Sequence, residues 1–495
     1  MEKKIKFYTY LFNFIKTKPL SFKQRQQLVK QSGILDETWY LYHYRDVDID
    51  AALHFAIHGL NEGRIADAKH LDLWTGIIDP SLIHDLREQV FSKNPVVMPY
   101  AAWLLGRWFA SRELWKEALE VVSVLVSKQG LKKVSTPVFL LWIDALRLTG
   151  KLKKAQKVLF KRLTYEYSVD LRLSQANLIN ESAINVEVKT EKWFESINGI
   201  FDYHQLASIS LLDSLNKLSI DNLKCITSSN VVDKQKDLIS VVVPCFNAAS
   251  IIKTTIRSLQ NQSWKFLEII VVDDASTDDT VDVIRVMAVD DERIKLVTLE
   301  ENSGAYFCRN YGVSLATGEF ITVHDADDWS HCQKLELQVM ALEQDASYMA
   351  SFSSWVRVSS DMEFGSWQTP SGWNGWVHRN TSSLMVRKQV IEDIGFWDNV
   401  ICNADTEYHQ RILMYYGNDS IIQVLPSVPL SFGRFHAQSL TQLGPTNIFT
   451  IFSGLRKDYT EAYMNWHQTI ESKSDLYMPL NAGKREFEVP AAMLR

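Results

Sequence analysis

No stretch of this sequence approaches the roughly 18 consecutive apolar residues that a membrane-spanning helix needs. Cysteine is scarce. Five occur in 495 residues, Cys225, Cys245, Cys308, Cys332 and Cys402, and none stands in a Cys-x-x-Cys pair. An odd number without paired spacing fits a reducing cytosol and no disulfide framework, and gives a zinc site no support. Excess positive charge is missing as well: the net charge of −6 argues against nucleic acid as a partner. There is no Gly-x-x-x-x-Gly-Lys-Ser/Thr, and no Gly-x-Gly-x-x-Gly follows the first strand expected in the second half, so a glycine-rich loop is not what would hold a phosphate here. What remains is an ordinary globular composition, 46% hydrophobic and 23% charged, in a chain long enough for two or three domains.

Residues 1–30 carry Lys3, Lys4, Lys6, Lys16, Lys18, Lys23, Arg25 and Lys30 against one acid, Glu2, around the aromatic run Phe7 to Ile15. That run is too short for a signal-peptide core and no cleavage site follows it. A basic, aromatic helix of this kind either packs on its own domain or lies on an anionic membrane surface. Residues 31–65 read as a compact helical unit, with Asp36 as an N-cap and Gly59 and Gly63 as helix stops. Residues 71–225 read as helical throughout. Ala118 and Ala155, 37 apart, mark two weakly self-similar segments near the period of tetratricopeptide helix pairs. A polar stretch without periodicity, 226–237, is the expected linker.

The second half changes character. Leu238 to Pro244 and Leu267 to Val272 are β-branched runs without alternation, the mark of buried parallel strands. Ile294 to Val297 and Phe320 to Val323 are further strands, and helical stretches near 250–260, 281–287 and 305–316 separate the four. Strand and helix alternate as in βαβ units, so a doubly wound, mostly parallel sheet is expected.

The polar residues gather at the carboxyl ends of these strands: Pro244-Cys245-Phe246-Asn247, then Asp273-Asp274, then Asp325-Ala326-Asp327-Asp328. Ligands bind at that edge of an open α/β sheet. Two carboxylates with one residue between them can hold Mg²⁺ or Mn²⁺, and the cation can hold a diphosphate. Alone, an acidic triplet after a strand is more often a turn.

Four motifs then fall into one order and spacing: Val241 to Asn247; Val271 to Asp278; Asn302-Ser303-Gly304 with Arg309-Asn310-Tyr311-Gly312; and Ala316-Thr317-Gly318-Glu319 running into Asp325-Ala326-Asp327-Asp328. Over about Leu238 to Gly444 the chain resembles the family 2 glycosyltransferases of the GT-A fold. Residues 31–65 resemble a helical module appended to bacterial surface-polysaccharide glycosyltransferases. The resemblance implies an α/β GT-A catalytic domain over 238–445. It would be preceded by a basic segment and small module (1–70), an all-α region that is either a helical bundle or tetratricopeptide-like repeats (71–225) and the linker, and followed by a helical extension (446–495).

It also implies roles. Pro244, Phe246 and Asn247 would line the nucleotide pocket, and Asp273 or Asp274 would meet the base or ribose. Arg309 would sit near the phosphates or brace the acidic loop. Asp325 would contact ribose or sugar, Asp327 would bind the metal and Asp328 would assist. The family carries a Glu-Asp pair where this chain has Ala404-Asp405. Asp405 would be the general base, with Glu407 in reserve. His436, in Gly433-Arg434-Phe435-His436, would complete the metal shell, Mn²⁺ suiting an imidazole better than Mg²⁺. Trp373, Trp376 and Asn380 would face the acceptor glycan. The expected activity is an inverting, metal-dependent transfer of a hexosyl or N-acetylhexosaminyl unit from a nucleoside diphosphate, UDP foremost, onto a surface polysaccharide such as a capsule or O-antigen, or onto a lipid-linked oligosaccharide. The setting would be the cytoplasm or the inner face of its membrane, with contact to an assembly protein through the N-terminal region. A non-catalytic glycan-binding scaffold and a sugar-phosphate nucleotidyltransferase are the rival readings.

Overall fold

A computed structural model of the chain describes residues 20–44, 46–75, 79–226, 236–365, 367, 375–435, 444–447, 450, 454–480 and 485–494. They form two compact units: Met1–Ser174 with Ser366–Trp376, and Gln175–Gly365 with Val377–Arg495. Among the described residues no helix is long and apolar enough to cross a membrane.

The first unit is helical. Its early helices start at polar caps: Ser21 accepts from the Gln24 amide, Asp36 from Trp39, Asp50 from Leu53 and Asp79 from Ser81. Such side chains satisfy amides that a helix start leaves without partners. Val97–Ser111, Trp115–Gln129, Thr136–Leu148 and Leu152–Leu163 follow as helix–turn–helix pairs. Gly106 permits their close approach, since a Cβ there would lie 2.4 Å from Val122 Cγ2. His54 is buried against the Tyr40 hydroxyl at 3.1 Å, a packing role. The insert from the second half contributes Trp367, whose Nε1 donates to Asp144 Oδ2 at 2.8 Å. Asp144 also accepts from Arg147 at 2.8 Å. Trp376 is buried beside Trp367, and its amide donates to Asp170.

The second unit is built on a seven-stranded sheet. Its strands are β3 (Ile239–Cys245), β4 (Leu267–Asp273), β5 (Ile294–Thr298), β6 (Phe320–Val323), β8 (Ala350–Phe352), β11 (Met385–Arg387) and β12 (Ile421–Gln423), in the order β12-β8-β11-β6-β3-β4-β5. All neighbours are parallel except β11, which runs antiparallel to both β6 and β8. A hairpin, β1 (Ile209–Leu211) and β2 (Leu223–Cys225), precedes it. A second sheet, of β7 (Trp329–Ser330), β9 (Ser354–Val358), β10 (His378–Arg379) and β13 (Pro429–Arg434), has the order β10-β9-β13-β7.

The helices of this unit are α1 (Val186–Tyr203), α2 (Ile252–Gln260), α3 (Thr280–Val289), α4 (Ala305–Ser314), α5 (Lys334–Gln344), α6 (Lys388–Ile394), α7 (Ala404–Tyr416) and α8 (Leu455–Gln468). The two-residue period of a strand divides the apolar runs between two cores. Val241, Val243, Ile269 and Val271 pack with Ile252, Ile256 and Leu259 of α2. Val242, Ile270 and Val272 pack with Cys308 and Val313 of α4. Each such side chain contributes on the order of 1.5–3 kcal/mol by burial, which fixes the register of the strands. Gly312 lets α4 lie close: a Cβ there would meet Val242 Cγ1 at 2.4 Å.

Candidate active site

The strand order places β6, β3 and β4 side by side, so the three polar strand ends share one edge. Pro244 is buried as the last residue but one of β3, whereas Phe246 is 49% exposed just beyond it. Asn247 follows in the left-handed region (φ 47°). Its Oδ1 accepts from the Thr277 amide at 2.9 Å, and its own amide donates to Ser276 Oγ at 2.8 Å. Asp273 and Asp274 are buried and serve the loops. Asp273 Oδ2 accepts from the Ser276 amide at 3.0 Å. Asp274 accepts from the amides of Ser303 (2.6 Å) and Gly304 (2.9 Å) and so anchors the start of α4.

In the acidic loop the three carboxylates have different surroundings. Asp325 is partly exposed and accepts from Arg309 at 2.7 Å. Burial opposes its charge, but Arg309 and the Ser382 hydroxyl more than offset this and hold its carboxyl below the ordinary aspartate value. Asp328 is buried. Burial, reinforced by Asp327 and Asp325, pushes its carboxyl well above the ordinary range. Its Oδ1 accepts from the Arg434 amide at 3.1 Å. Asp327 is partly exposed, and its carbonyl accepts from Arg434 Nε at 3.2 Å. Asp325 and Asp327 are therefore the loop carboxylates that could hold a divalent cation at the surface. His436 lies outside the described residues.

Asp405 reaches the same place from α7. It stands in the first turn of that helix, behind Asn403 (φ 72°) and the buried Ala404. Its Oδ1 accepts from the Tyr306 hydroxyl at 3.1 Å and from the Thr406 amide at 3.0 Å. Tyr306 and Arg309 lie one turn apart on α4, and the guanidinium sits 4.8 Å from the centre of the tyrosine ring. One helix therefore links the two acids in a chain of contacts: Asp405, Tyr306, Arg309, Asp325.

Glu407 is placed differently. It is fully buried and accepts from Arg411 at 2.6 Å, and His467 Nε2 lies 3.1 Å from the same oxygen. Arg411 is itself fully buried and donates to the carbonyls of Ile394 and Phe396. Asn380 is buried, and its Oδ1 caps the turn of Thr381–Ser383 by accepting from Ser382. Trp376 groups with the helical unit, and Trp373 lies outside the described residues.

Several site residues escape a reading by motif. Tyr306 carries a usable signal, its i, i+3 spacing from Arg309. Ser382 carries none. Lys334 is buried close enough to sense Asp328 and Asp325: burial lowers its ammonium to about 8 while the two acids draw it the other way. Arg434 also grips Asp221, 213 residues earlier, through both terminal nitrogens. Such a separation leaves no local pattern.

Residues 240–396 match the family described as glycosyl transferase family 2. The chain is 39% identical over 127 residues to a Bacillus subtilis glycosyltransferase named for teichuronic acid biosynthesis, covering 26% of this chain and 50% of that one. It is 46% identical over 92 residues to the GalNAc(5)-diNAcBac-PP-undecaprenol β-1,3-glucosyltransferase of Campylobacter jejuni, 18% of this chain and 29% of that one. It is 38% identical over 113 residues to the UDP-Glc:α-D-GlcNAc-diphosphoundecaprenol β-1,3-glucosyltransferase WfgD of Escherichia coli, 23% of this chain and 44% of that one. The chain thus spans half or less of the length of these curated relatives.

Proposed function

We propose that this chain, whose residues 240–396 belong to glycosyl transferase family 2, is an inverting glycosyltransferase of surface-polysaccharide or lipid-linked oligosaccharide assembly. The observation that carries the reading is the chain of contacts from Asp405 through Tyr306 and Arg309 to Asp325. It sets a carboxylate suited to a general base beside acids suited to a donor. A divalent cation, when bound at Asp327 with Asp325 beside it, supplies charge neutralisation for the departing diphosphate.

The chain's own residues do the rest. Phe246 offers an exposed ring against which a base can stack. Asp273, Asp274 and Asn247 hold the loops that frame the nucleotide. Arg309 fixes Asp325 toward the ribose or sugar. Asp405 accepts the proton of the acceptor hydroxyl as its oxygen attacks the anomeric carbon, and a single in-line displacement inverts that centre. Tyr306 orients Asp405 by donating to Oδ1. Two relatives are named for β-1,3-glucosyl transfer onto undecaprenol-linked sugars, and one of them for UDP-Glc, which favours a UDP-hexose donor and a lipid-linked acceptor. Peripheral membrane contact through the basic N-terminal segment suits that acceptor.

Thermal unfolding of the full chain with a panel of nucleoside-diphosphate sugars and Mn²⁺ tests the donor half of this reading. A true donor raises the midpoint by mass action, and Asp327→Asn removes the Mn²⁺-dependent part. Absence of a shift with every donor, alongside absence of nucleoside-diphosphate release, contradicts it.

A further inference from the structure

Three soft donors meet on the far side of β7 from the acidic loop. Cys225 ends β2, and His331 and Cys332 directly follow β7. Their ligand atoms all lie within 4.8 Å of one another. His331 and Cys332 are buried and Cys225 is partly exposed. The Cys332 amide donates to Cys225 Sγ at 3.0 Å, which pins that sulfur against the backbone.

The histidine is oriented in a telling way. Its Nε2 lies 2.8 Å from the carbonyl oxygen of Ala207, a group that only accepts. That nitrogen therefore carries the ring proton. Nδ1 is left with the lone pair, met by the Gln333 amide at 3.2 Å. Phe201 covers the ring at 4.6 Å between centroids, and Gln333 Oε1 accepts from the Ala207 amide at 2.7 Å, steadying the carbonyl that orients the histidine. A ring proton given to a backbone carbonyl is how outer partners prepare a metal-ligating histidine, and a cation bound through Nδ1 would take the place of the Gln333 amide on that nitrogen.

We propose that Cys225, His331 and Cys332 form a binding site for a thiophilic divalent cation, with Zn²⁺ the best match. Tetrahedral Zn–S and Zn–N bonds place such donors about 3.5–3.8 Å apart, so closing each separation from at most 4.8 Å asks for roughly 1.3 Å or less. The two thiols bind as thiolates and release their protons to solvent, while the neutral imidazole gives up none. The fourth position takes a water from the partly exposed Cys225 side. The bound cation clips the β1–β2 hairpin to the residues after β7. His324 Nε2 lies 2.7 Å from Ser330 Oγ, so the clip also steadies the strand on which the acidic loop rests.

The test uses the reduced full chain, stripped of metal by a chelator and titrated with Co²⁺. The proposal expects a thiolate-to-cobalt charge-transfer band and tetrahedral visible bands, saturating at one equivalent and bleached by Zn²⁺. Zn²⁺ should also raise the unfolding midpoint. Cys225→Ser, at a partly exposed position, and Cys332→Ser should each lose the band with an unchanged circular dichroism spectrum. Asp327→Asn should keep it, because cobalt on the acidic loop has oxygen ligands and gives no such band. Absence of the band in the reduced wild type overturns the proposal, as does its survival in both cysteine variants. So does a chain that forms a Cys225–Cys332 disulfide in air and takes up no cobalt when reduced.

Discussion

Each unit of this protein contains a buried arginine paired with an aspartate, and the two pairs have opposite fates. In the helical unit, Arg147 and Asp144 are 5% and 4% exposed. The second Asp144 oxygen takes the Trp367 indole, so the carboxylate is fully engaged. In the α/β unit, Arg309 is 8% exposed but Asp325 is 29% exposed. The first pair closes a packing problem. The second holds a charge at a surface. The same contrast recurs within one turn of α7, where Glu407 is closed by Arg411 and Asp405 faces Tyr306. Pairing alone does not separate these acids; the solvent left beside the pair does.

Predictions can break this contrast at its strongest point first. Asp405→Asn should lower kcat by about 10²–10⁴-fold while leaving the donor-induced thermal shift intact, as measured by nucleoside-diphosphate release. Glu407→Gln should leave Arg411 as an uncompensated buried charge and cost about 3–5 kcal/mol of stability, read from denaturant unfolding. Tyr306→Phe removes one hydrogen bond to Asp405. It should cost about 1 kcal/mol, roughly fivefold in kcat, with donor affinity unchanged.

A pH-dependent effect concerns Glu268, a closed carboxylate at the start of β4. Burial alone would raise its pKa, but Lys295, Ser240 and Thr317 bring it to about 2. A carboxylate whose folded pKa is depressed stabilises the fold above its unfolded pKa. That contribution fades as pH falls from about 4.5 to about 2. Glu268→Gln should lower the unfolding midpoint at neutral pH and converge with wild type at the acid end of that window.

Much of the sheet and its chemical edge is legible in the sequence, for a physical reason. Strands buried on both faces read as β-branched runs, and acids that follow such runs mark the strand ends, whether they are buried and hydrogen-bonded like Asp274 or partly exposed like Asp325. Val241 to Asn247 and Phe320 to Asp328 carry that signal directly. Side-chain environment is less legible. Nothing local separates Asp405 from Glu407, because burial of the latter depends on Arg411, on His467 and on carbonyls from distant loops. Trp376 shows an aromatic rich in possible sugar contacts, yet its packing partners Trp367 and Asp170 belong to the helical unit. Spacing gives no hint of the Cys225, His331 and Cys332 cluster, since 107 residues separate the two cysteines. Arg434 and Asp221 are further apart still.

The most direct test compares Asp405→Asn with Glu407→Gln in one set of assays, scaling turnover to the folded fraction and measuring donor binding for each. Asp405→Asn should fold and bind donor without turning over, while Glu407→Gln should unfold more easily yet transfer sugar at nearly the wild-type rate per folded molecule. Undiminished turnover by Asp405→Asn, with loss confined to a well-folded Glu407→Gln, would contradict this expectation.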